Sequence, residues 1–220
     1  MYPERIILDV EGQRDFFSPG GSCFSQESAA ASRNIYRLFA WARMFNIPVI
    51  STVLRVRPGE IGPLADVPHC QEGTDGERKL PKTVLPSRIN LGLRNSTDLP
   101  DHIFQYYQQV IFEKRFTDIF AHTRAERLIT ELPRATFIVC GAGMEAGIAQ
   151  ATIGLRTRGF PVVLAADACL ELRPQPAAMA RLRMDAKGVV FTQTDKIVTP
   201  PVRARRLPFR APNPVERQAF

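Results

Sequence analysis

Short runs of apolar, β-branched residues alternate with amphipathic segments along most of the chain. Runs typical of strands buried on both faces cover residues 5–10, 47–53, 109–113, 136–140, 162–165 and 189–192. Apolar residues spaced three and four apart predict helices over residues 25–45, 97–107, 123–132, 145–158 and 174–187. The alternation predicts an α/β fold, a doubly wound, Rossmann-like three-layer sandwich with a mainly parallel sheet of about six strands.

The central stretch, residues 136–169, reads as a strand, a glycine turn, a helix and a second strand. Glu145 lies in the first turn of this helix and Gly159 ends it. In open parallel sheets the ligand crevice lies beyond the carboxyl ends of the strands. We therefore expect residues 141–147 to face the active site, where backbone N–H groups can hold an anion or a developing oxyanion.

Two charged residues end other predicted strands. Asp9 is either a turn residue or a catalytic acid, and Lys114 is either a solvated side chain or a cation opposite Asp9. The aromatic pair Phe16 and Phe17 stands in a loop with a Pro-Gly-Gly turn. That loop is either packed by its own rings or forms one wall of a pocket.

Composition indicates one domain over residues 1–198, with a long irregular excursion at 55–100 and a Pro/Arg-rich tail at 199–220. The tail contributes +4 of the net charge of +7. It lacks interleaved aromatic and basic residues, so a solvated or subunit-wrapping tail is favoured over an RNA-binding arm. The four cysteines have no zinc spacing, which favours reduced thiols. Neither a signal peptide nor a membrane-spanning run is evident, so a cytoplasmic protein is expected.

Three segments in this order resemble the isochorismatase-like hydrolase superfamily, also called the cysteine hydrolases. They are LDVEGQRDFFSPGG, VIFEKRFTDIF and CGAGMEAGIAQATIGLRTRGFPVVLAADAC. The resemblance implies that Asp9 is the catalytic acid/base, that Lys114 is its electrostatic partner, and that the peptide between Ala142 and Gly143 is a cis bond shaping an anion hole. The substrate-binding residues that it implies are Phe16, Phe17, Ala142, Gly143, Met144, Glu145 and Ala146.

The chain departs from the cysteine hydrolases at the nucleophile, because Gly147 occupies the position of the thiol. Without a thiol the usual covalent route to amide hydrolysis is closed. No Asp-x-His follows Thr52, so neither a catalytic metal nor a cofactor is expected. The loop after Asp9 also carries a two-residue insertion, Gly12-Gln13, relative to the family pattern.

Isochorismatases also have glycine at the thiol position, and they hydrolyse a vinyl ether by protonating the alkene carbon before water adds. This chain differs from them at Leu54, Arg55 and Gly143, so isochorismate is not the expected substrate. The resemblance implies a hydrolase that acts on a small polar metabolite without a cysteine nucleophile. The alternative is a catalytically silent member that binds a small molecule or supports assembly. A homo-oligomer is expected, and nucleic acid is not an expected partner.

Overall fold

Within the part of the chain that the structure describes, the sheet has seven parallel strands in the order β3-β4-β2-β1-β5-β6-β7. A computed structural model describes residues 3–132 and 135–198. The strands are β1 (Arg5–Val10), β2 (Val49–Leu54), β3 (Arg88–Asn90), β4 (Gln109–Lys114), β5 (Thr136–Ala142), β6 (Val162–Leu170) and β7 (Val190–Thr192). Because every pairing is parallel, the carboxyl ends of neighbouring strands meet at one edge of the sheet.

Helices cover both faces of the sheet, as connections between parallel strands require. They are α1 (Arg14–Phe17), α2 (Gln26–Phe45), α3 (Thr123–Thr130), α4 (Ala149–Thr157), α5 (Pro174–Ala186) and α6 (Thr194–Ile197). A five-residue π-helical turn, Met144–Ile148, precedes α4. One hydrophobic core includes Leu8 and Phe112, and the second, which contains residues of α2, includes Ile7 and Ile138. The predicted doubly wound α/β fold is confirmed.

Differences from the sequence prediction are local. The sheet has one strand more than the six expected, because β3 is a three-residue edge strand with no apolar run to reveal it. The helix predicted over residues 97–107 is wrong, and a single 3₁₀ turn, Ile103–Gln105, stands there. Pro100 lacks an N–H for a helical hydrogen bond, and His102 adopts a left-handed φ of 54°.

The irregular excursion at residues 55–100 is held against the rest of the domain by side chains of the loop after β1. Asp15 accepts a hydrogen bond from the backbone N–H of Cys70 at 2.6 Å, and Gln13 donates to the carbonyl of Glu77 at 2.8 Å. Whether this excursion is a lid or a dimer arm stays a prediction, as does the homo-oligomer. The tail at 199–220 lies outside the described residues. None of the helices within the described ranges combines the length and apolar character needed to cross a membrane.

Candidate active site

Glu11, the residue directly after β1, is the centre of a buried polar cluster. Its backbone has a φ of 46°, a left-handed conformation that non-glycine residues adopt at a cost. The hydroxyl of Thr52 donates to Glu11 Oε1 at 2.7 Å and accepts from the Glu11 backbone N–H at 3.2 Å. These two hydrogen bonds stabilise the strained backbone and fix the position of one carboxylate oxygen.

Lys114, the last residue of β4, is the ion-pair partner of Glu11. Its Nζ lies 2.5 Å from Glu11 Oε1, and both side chains are fully buried. The same ammonium donates to the carbonyls of Phe116 at 2.8 Å and Thr117 at 2.9 Å. An ammonium has three N–H donors, so these three acceptors use all of them. Lys114 therefore supplies charge to the cluster and has no free donor for a ligand.

Gly147, in the turn before α4, lies beside the Glu11 carboxylate. A Cβ on this glycine would lie 2.5 Å from Glu11 Oε2 and 3.1 Å from Val10 Cγ1. Glu11 Oε2 is buried and has no hydrogen-bond partner among the described residues. One oxygen of this carboxylate is thus locked by a cation and a hydroxyl, and the other is free beside a bare glycine. Such a carboxyl group can transfer a proton at Oε2.

Gly141 and Gly143 adopt positive φ values that favour glycine. Gly141 has a φ of 130°, and a Cβ there would lie 1.8 Å from the carbonyl oxygen of Val10. Gly143 has a φ of 77° and packs against Leu64, whose Cδ2 would lie 3.0 Å from an added Cβ. The cis bond expected between Ala142 and Gly143 is wrong, because every peptide bond in the described ranges is trans.

Asp9 lies apart from this cluster, which corrects the expected pairing of Asp9 with Lys114. Ser51 and Thr52 are adjacent in β2, so their side chains point to opposite faces of the sheet. Asp9 contacts Ser51, whereas Glu11 contacts Thr52. The Ser51 hydroxyl donates to Asp9 Oδ2 at 3.0 Å, and Lys79 Nζ lies 2.5 Å from the same oxygen. Asp9 is therefore a buried acid on the opposite face of the sheet, with Lys79 as its cation.

Phe16 and Phe17 do not form a pocket wall. Both rings are buried in the second core, and the Phe16 ring packs on His69 with 5.6 Å between centroids. Of the turn residues expected to bind substrate, Ala142 and Met144 are also fully buried, and Ala146 is partly exposed. Phe16 and Phe17 therefore pack in the core and do not line a pocket, because packing removes their apolar surface from water.

Glu145 is turned away from the cluster by the start of α5. Its Oε2 accepts a hydrogen bond from the backbone N–H of Leu172 at 3.3 Å, and its Oε1 lies 3.7 Å from Arg173 Nε. Only 1% of its side chain is exposed. Glu145 therefore ties the π-helical turn to the segment after β6, a stabilising role that differs from the expected substrate contact.

The residues that sequence reasoning missed are Glu11, Thr52 and Lys79. A signal for Glu11 was present, since placing the acid at Asp9 requires a two-residue insertion at Gly12-Gln13. Placing the acid two residues later, at Glu11, removes that insertion. Thr52 and Lys79 carried no comparable signal, because one is a β-branched residue inside a strand and the other belongs to the irregular excursion.

Comparison with known protein families gives one match, which covers part of the chain. Residues 93–196, which include Lys114 and Gly147, match the family model of the isochorismatase domain. Residues 93–196 are therefore similar to an isochorismatase domain. The match begins after Glu11, so Glu11 is placed beside Lys114 and Gly147 by its contacts alone.

Solved structures share the isochorismatase-like fold over nearly the whole chain. Nicotinamidase/pyrazinamidase PncA from Bacillus subtilis superposes with a TM-score of 0.65 at 14% identity, covering 86% of this chain and 100% of that chain. An isochorismatase family protein from Desulfovibrio vulgaris gives a TM-score of 0.65 at 18% identity, covering 89% of this chain and 96% of that chain.

Pyrazinamidase of Pyrococcus horikoshii, solved in complex with zinc, has a TM-score of 0.65 and 19% identity, with 87% of this chain and 99% of that chain covered. No curated protein sequence matches this chain. Identities this low show the common isochorismatase-like fold and do not transfer an activity.

The four cysteines, all within the described residues, have surroundings that raise the pKa of their thiols. Cys140 and Cys169 are buried in the sheet, and burial raises the pKa of both thiols, with Asp9 adding to the effect at Cys140. Burial likewise raises the pKa of Cys70 and of the half-buried Cys23. A raised thiol pKa keeps sulfur protonated and weakly nucleophilic at neutral pH.

A metal site needs several coordinating side chains close together. No group of three or more His, Cys, Asp or Glu side chains within residues 3–132 and 135–198 is arranged to hold a metal ion. Arg55, which follows β2, instead forms ion pairs with Glu77 and with Glu113, the latter at 2.6 Å. The guanidinium of Arg55 therefore places a positive charge directly after β2.

Two buried histidines predict that the fold loses stability in mild acid. Burial lowers the pKa of His69 and of His122 below the ordinary value of 6.5, so both favour the neutral form in the folded state. The unfolded chain binds more protons at pH values between the lowered pKa and about 6.5, so stability falls as pH drops through that range. The measurement is the melting temperature between pH 8 and pH 5 together with NMR titration of both rings. A ring that titrates above 6.5 would contradict the expectation.

Proposed function

We propose that the chain is an isochorismatase-family hydrolase that acts on a small polar metabolite without a cysteine nucleophile. Glu11 is the proton-transferring group, and Lys114 is its electrostatic partner. The observation that carries the proposal is the asymmetry of the Glu11 carboxylate. Lys114 and Thr52 hold Oε1, and Oε2 is buried, unpartnered among the described residues and adjacent to Gly147.

The reaction follows from the residue beside the Glu11 carboxyl group. Gly147 supplies no thiol there, so water is the nucleophile. The carboxyl form of Glu11 delivers its proton from Oε2 to an electron-rich carbon such as that of a vinyl ether. Water then adds to the oxocarbenium carbon and returns a proton to the carboxylate, and the resulting hemiketal breaks its C–O bond to release an alcohol and a carbonyl compound. Lys114 keeps the carboxylate charge compensated in a site with no solvent exposure.

The test compares two isosteric substitutions on opposite faces of the sheet. Glu11→Gln is expected to lower kcat/KM by about 10²- to 10⁴-fold, because the amide cannot transfer the proton. Asp9→Asn is the matched control and is expected to retain turnover once the folded fraction is measured by circular dichroism. The substrates are a panel of small vinyl ethers, esters and amides. Loss of turnover in Asp9→Asn with turnover kept in Glu11→Gln would return the role to Asp9.

A second candidate function is a catalytically silent member that binds a small molecule. Full burial of Glu11 and Lys114 favours it, because neither side chain presents exposed surface to a substrate. Absence of wild-type turnover across the whole panel would support the silent member and contradict the hydrolase.

A further inference from the structure

Residues 61–69 form a loop that is closed around one imidazole, and we call it the His69 loop. The backbone N–H of His69 donates to the carbonyl of Ile61 at 3.2 Å, and the backbone N–H of Leu64 donates to His69 Nε2 at 3.3 Å. His69 Nδ1 lies 2.8 Å from the carbonyl oxygen of Val67. A single residue, with 1% of its surface exposed, therefore joins the two ends of the loop to its middle.

The His69 ring is confined by packing. Gly62 has a φ of 98°, and a Cβ there would lie 2.7 Å from both Cε1 and Nε2 of the ring, so the Gly62 backbone lies directly against the imidazole. The Phe16 ring also packs on it, with 5.6 Å between the ring centroids. These contacts keep each ring nitrogen opposite its own hydrogen-bond partner.

The two hydrogen-bond partners of the ring fix its protonation state. Nε2 faces the N–H of Leu64, so this nitrogen has to be an unprotonated acceptor, and Nδ1 carries the proton that is donated to Val67. An imidazolium ring is protonated at both nitrogens. Protonation of His69 therefore sets one N–H against another and removes the hydrogen bond that holds Leu64.

The Leu64 side chain connects this loop to the glycine turn of the candidate active site. Leu64 is fully buried, and its Cδ2 would lie 3.0 Å from a Cβ on Gly143. The turn is anchored separately, because the Gly143 N–H donates to the carbonyl of Leu170 at 3.0 Å. Ile61 and Val67 of the same loop are 52% and 43% exposed. The His69 loop thus has Leu64 on the side of the turn and two apolar side chains on the side of the solvent.

Of the described residues, Asp15 in α1 is the charged group that acts on the His69 ring. Burial has the largest effect on the pKa of His69 and lowers it, whereas the Val67 carbonyl and Asp15 raise it. The oxygens of Asp15 accept backbone N–H groups, from Ser22 at 3.1 Å and from Cys70 at 2.6 Å. This carboxylate is therefore already held by backbone donors, and His69 is neutral near pH 7 and becomes charged in mild acid.

We propose that the His69 loop is a pH-sensitive lid over the glycine turn. With neutral His69 the loop keeps Leu64 against Gly143, and protonation at Nε2 releases Leu64 and opens the turn to solvent. The consequence for catalysis rests on the proposed function, because the same turn carries Gly147 beside Glu11 Oε2. The movement of the loop does not depend on that function.

Amide hydrogen exchange and NMR of the whole chain test the lid without a substrate. At neutral pH the His69 ring is expected to be the Nδ1–H tautomer, and the Leu64 N–H is expected to be protected from exchange. As His69 titrates, the protection of Leu64, corrected for the pH dependence of intrinsic exchange, is expected to fall about fivefold to tenfold, as the loss of one hydrogen bond predicts.

Val139, in the buried strand β5, is the internal control because its amide reports opening of the whole domain. The protection of Leu64 is expected to follow the titration of His69 and not the protection of Val139. An Nε2–H tautomer at neutral pH, or Leu64 protection that changes only in parallel with Val139, would overturn the lid.

Two histidine variants separate the lid from general effects of acid. His69→Phe keeps an aromatic ring beside Gly62 and has no acceptor for the Leu64 N–H, which is expected to exchange equally fast at neutral and at acid pH. His122→Phe is the matched control, because this buried ring packs on Phe112 instead, and it is expected to keep the wild-type behaviour. A pH dependence of Leu64 exchange that persists in His69→Phe would contradict the lid. Failure of the proposed function shows as absent turnover, and failure of the lid shows as exchange that ignores His69, so the two are distinguished.

Discussion

Replacing Gly147 by cysteine is expected to destabilise the protein by about 2–4 kcal/mol. The new Cβ would lie 2.5 Å from Glu11 Oε2, and Glu11 cannot withdraw freely because Lys114 and Thr52 hold its other oxygen. Moving the carboxylate breaks a fully buried ion pair. The measurement is urea unfolding at neutral pH, compared with wild type.

Shortening the acid is expected to relieve the clash. In the double variant E11D/G147C the carboxylate loses one methylene, so a coupling of about 1–3 kcal/mol between the two sites is expected from a double-mutant cycle. Ala146→Cys is the control, since it adds a thiol one residue earlier at a partly exposed position. Additive effects of E11D and G147C would show that Glu11 does not occupy the space beside Gly147.

Replacing Lys114 by methionine is expected to have the largest effect on stability, about 3–5 kcal/mol. The substitution leaves Glu11 charged and buried, and it removes the donor that satisfies the carbonyls of Phe116 and Thr117. The double variant E11Q/K114M removes both charges and is expected to recover part of the loss. The free energy of unfolding from urea titration measures both changes.

The outcome that contradicts this expectation is a small loss. A cost of K114M below about 1 kcal/mol is typical of exposed ion pairs and is incompatible with a pair that is fully buried. Recovery in E11Q/K114M separates the effect of an uncompensated charge from a general effect of altered packing, because methionine is present in both variants.

The fold was predictable because its signals are local and repeated. Buried parallel strands produce continuous apolar runs, and the turn at Gly141 needs a residue without a side chain, so both are visible in the sequence. Lys114 and Gly147 were predictable for the same reason, since each stands at the end of a strand or at the start of the helical segment that follows.

The acid was not predictable from periodicity. Asp9 and Glu11 are two residues apart, so a pattern of period two does not separate them. Their assignment depends on where β1 ends, on the φ of 46° at Glu11 and on contacts with Thr52 and Lys114 from distant strands. Lys79 was missed because its place opposite Asp9 is set by the irregular excursion, which has no repeating pattern.

The contact between Glu11 and Gly147 restricts which pairs of residues related sequences carry at these two positions. A long acid beside this glycine disfavours a thiol, so a lineage that acquires cysteine at position 147 is expected to exchange Glu11 for aspartate as well. Homologous sequences are therefore expected to pair glutamate with glycine and aspartate with cysteine, and the combination of glutamate with cysteine should be rare among them.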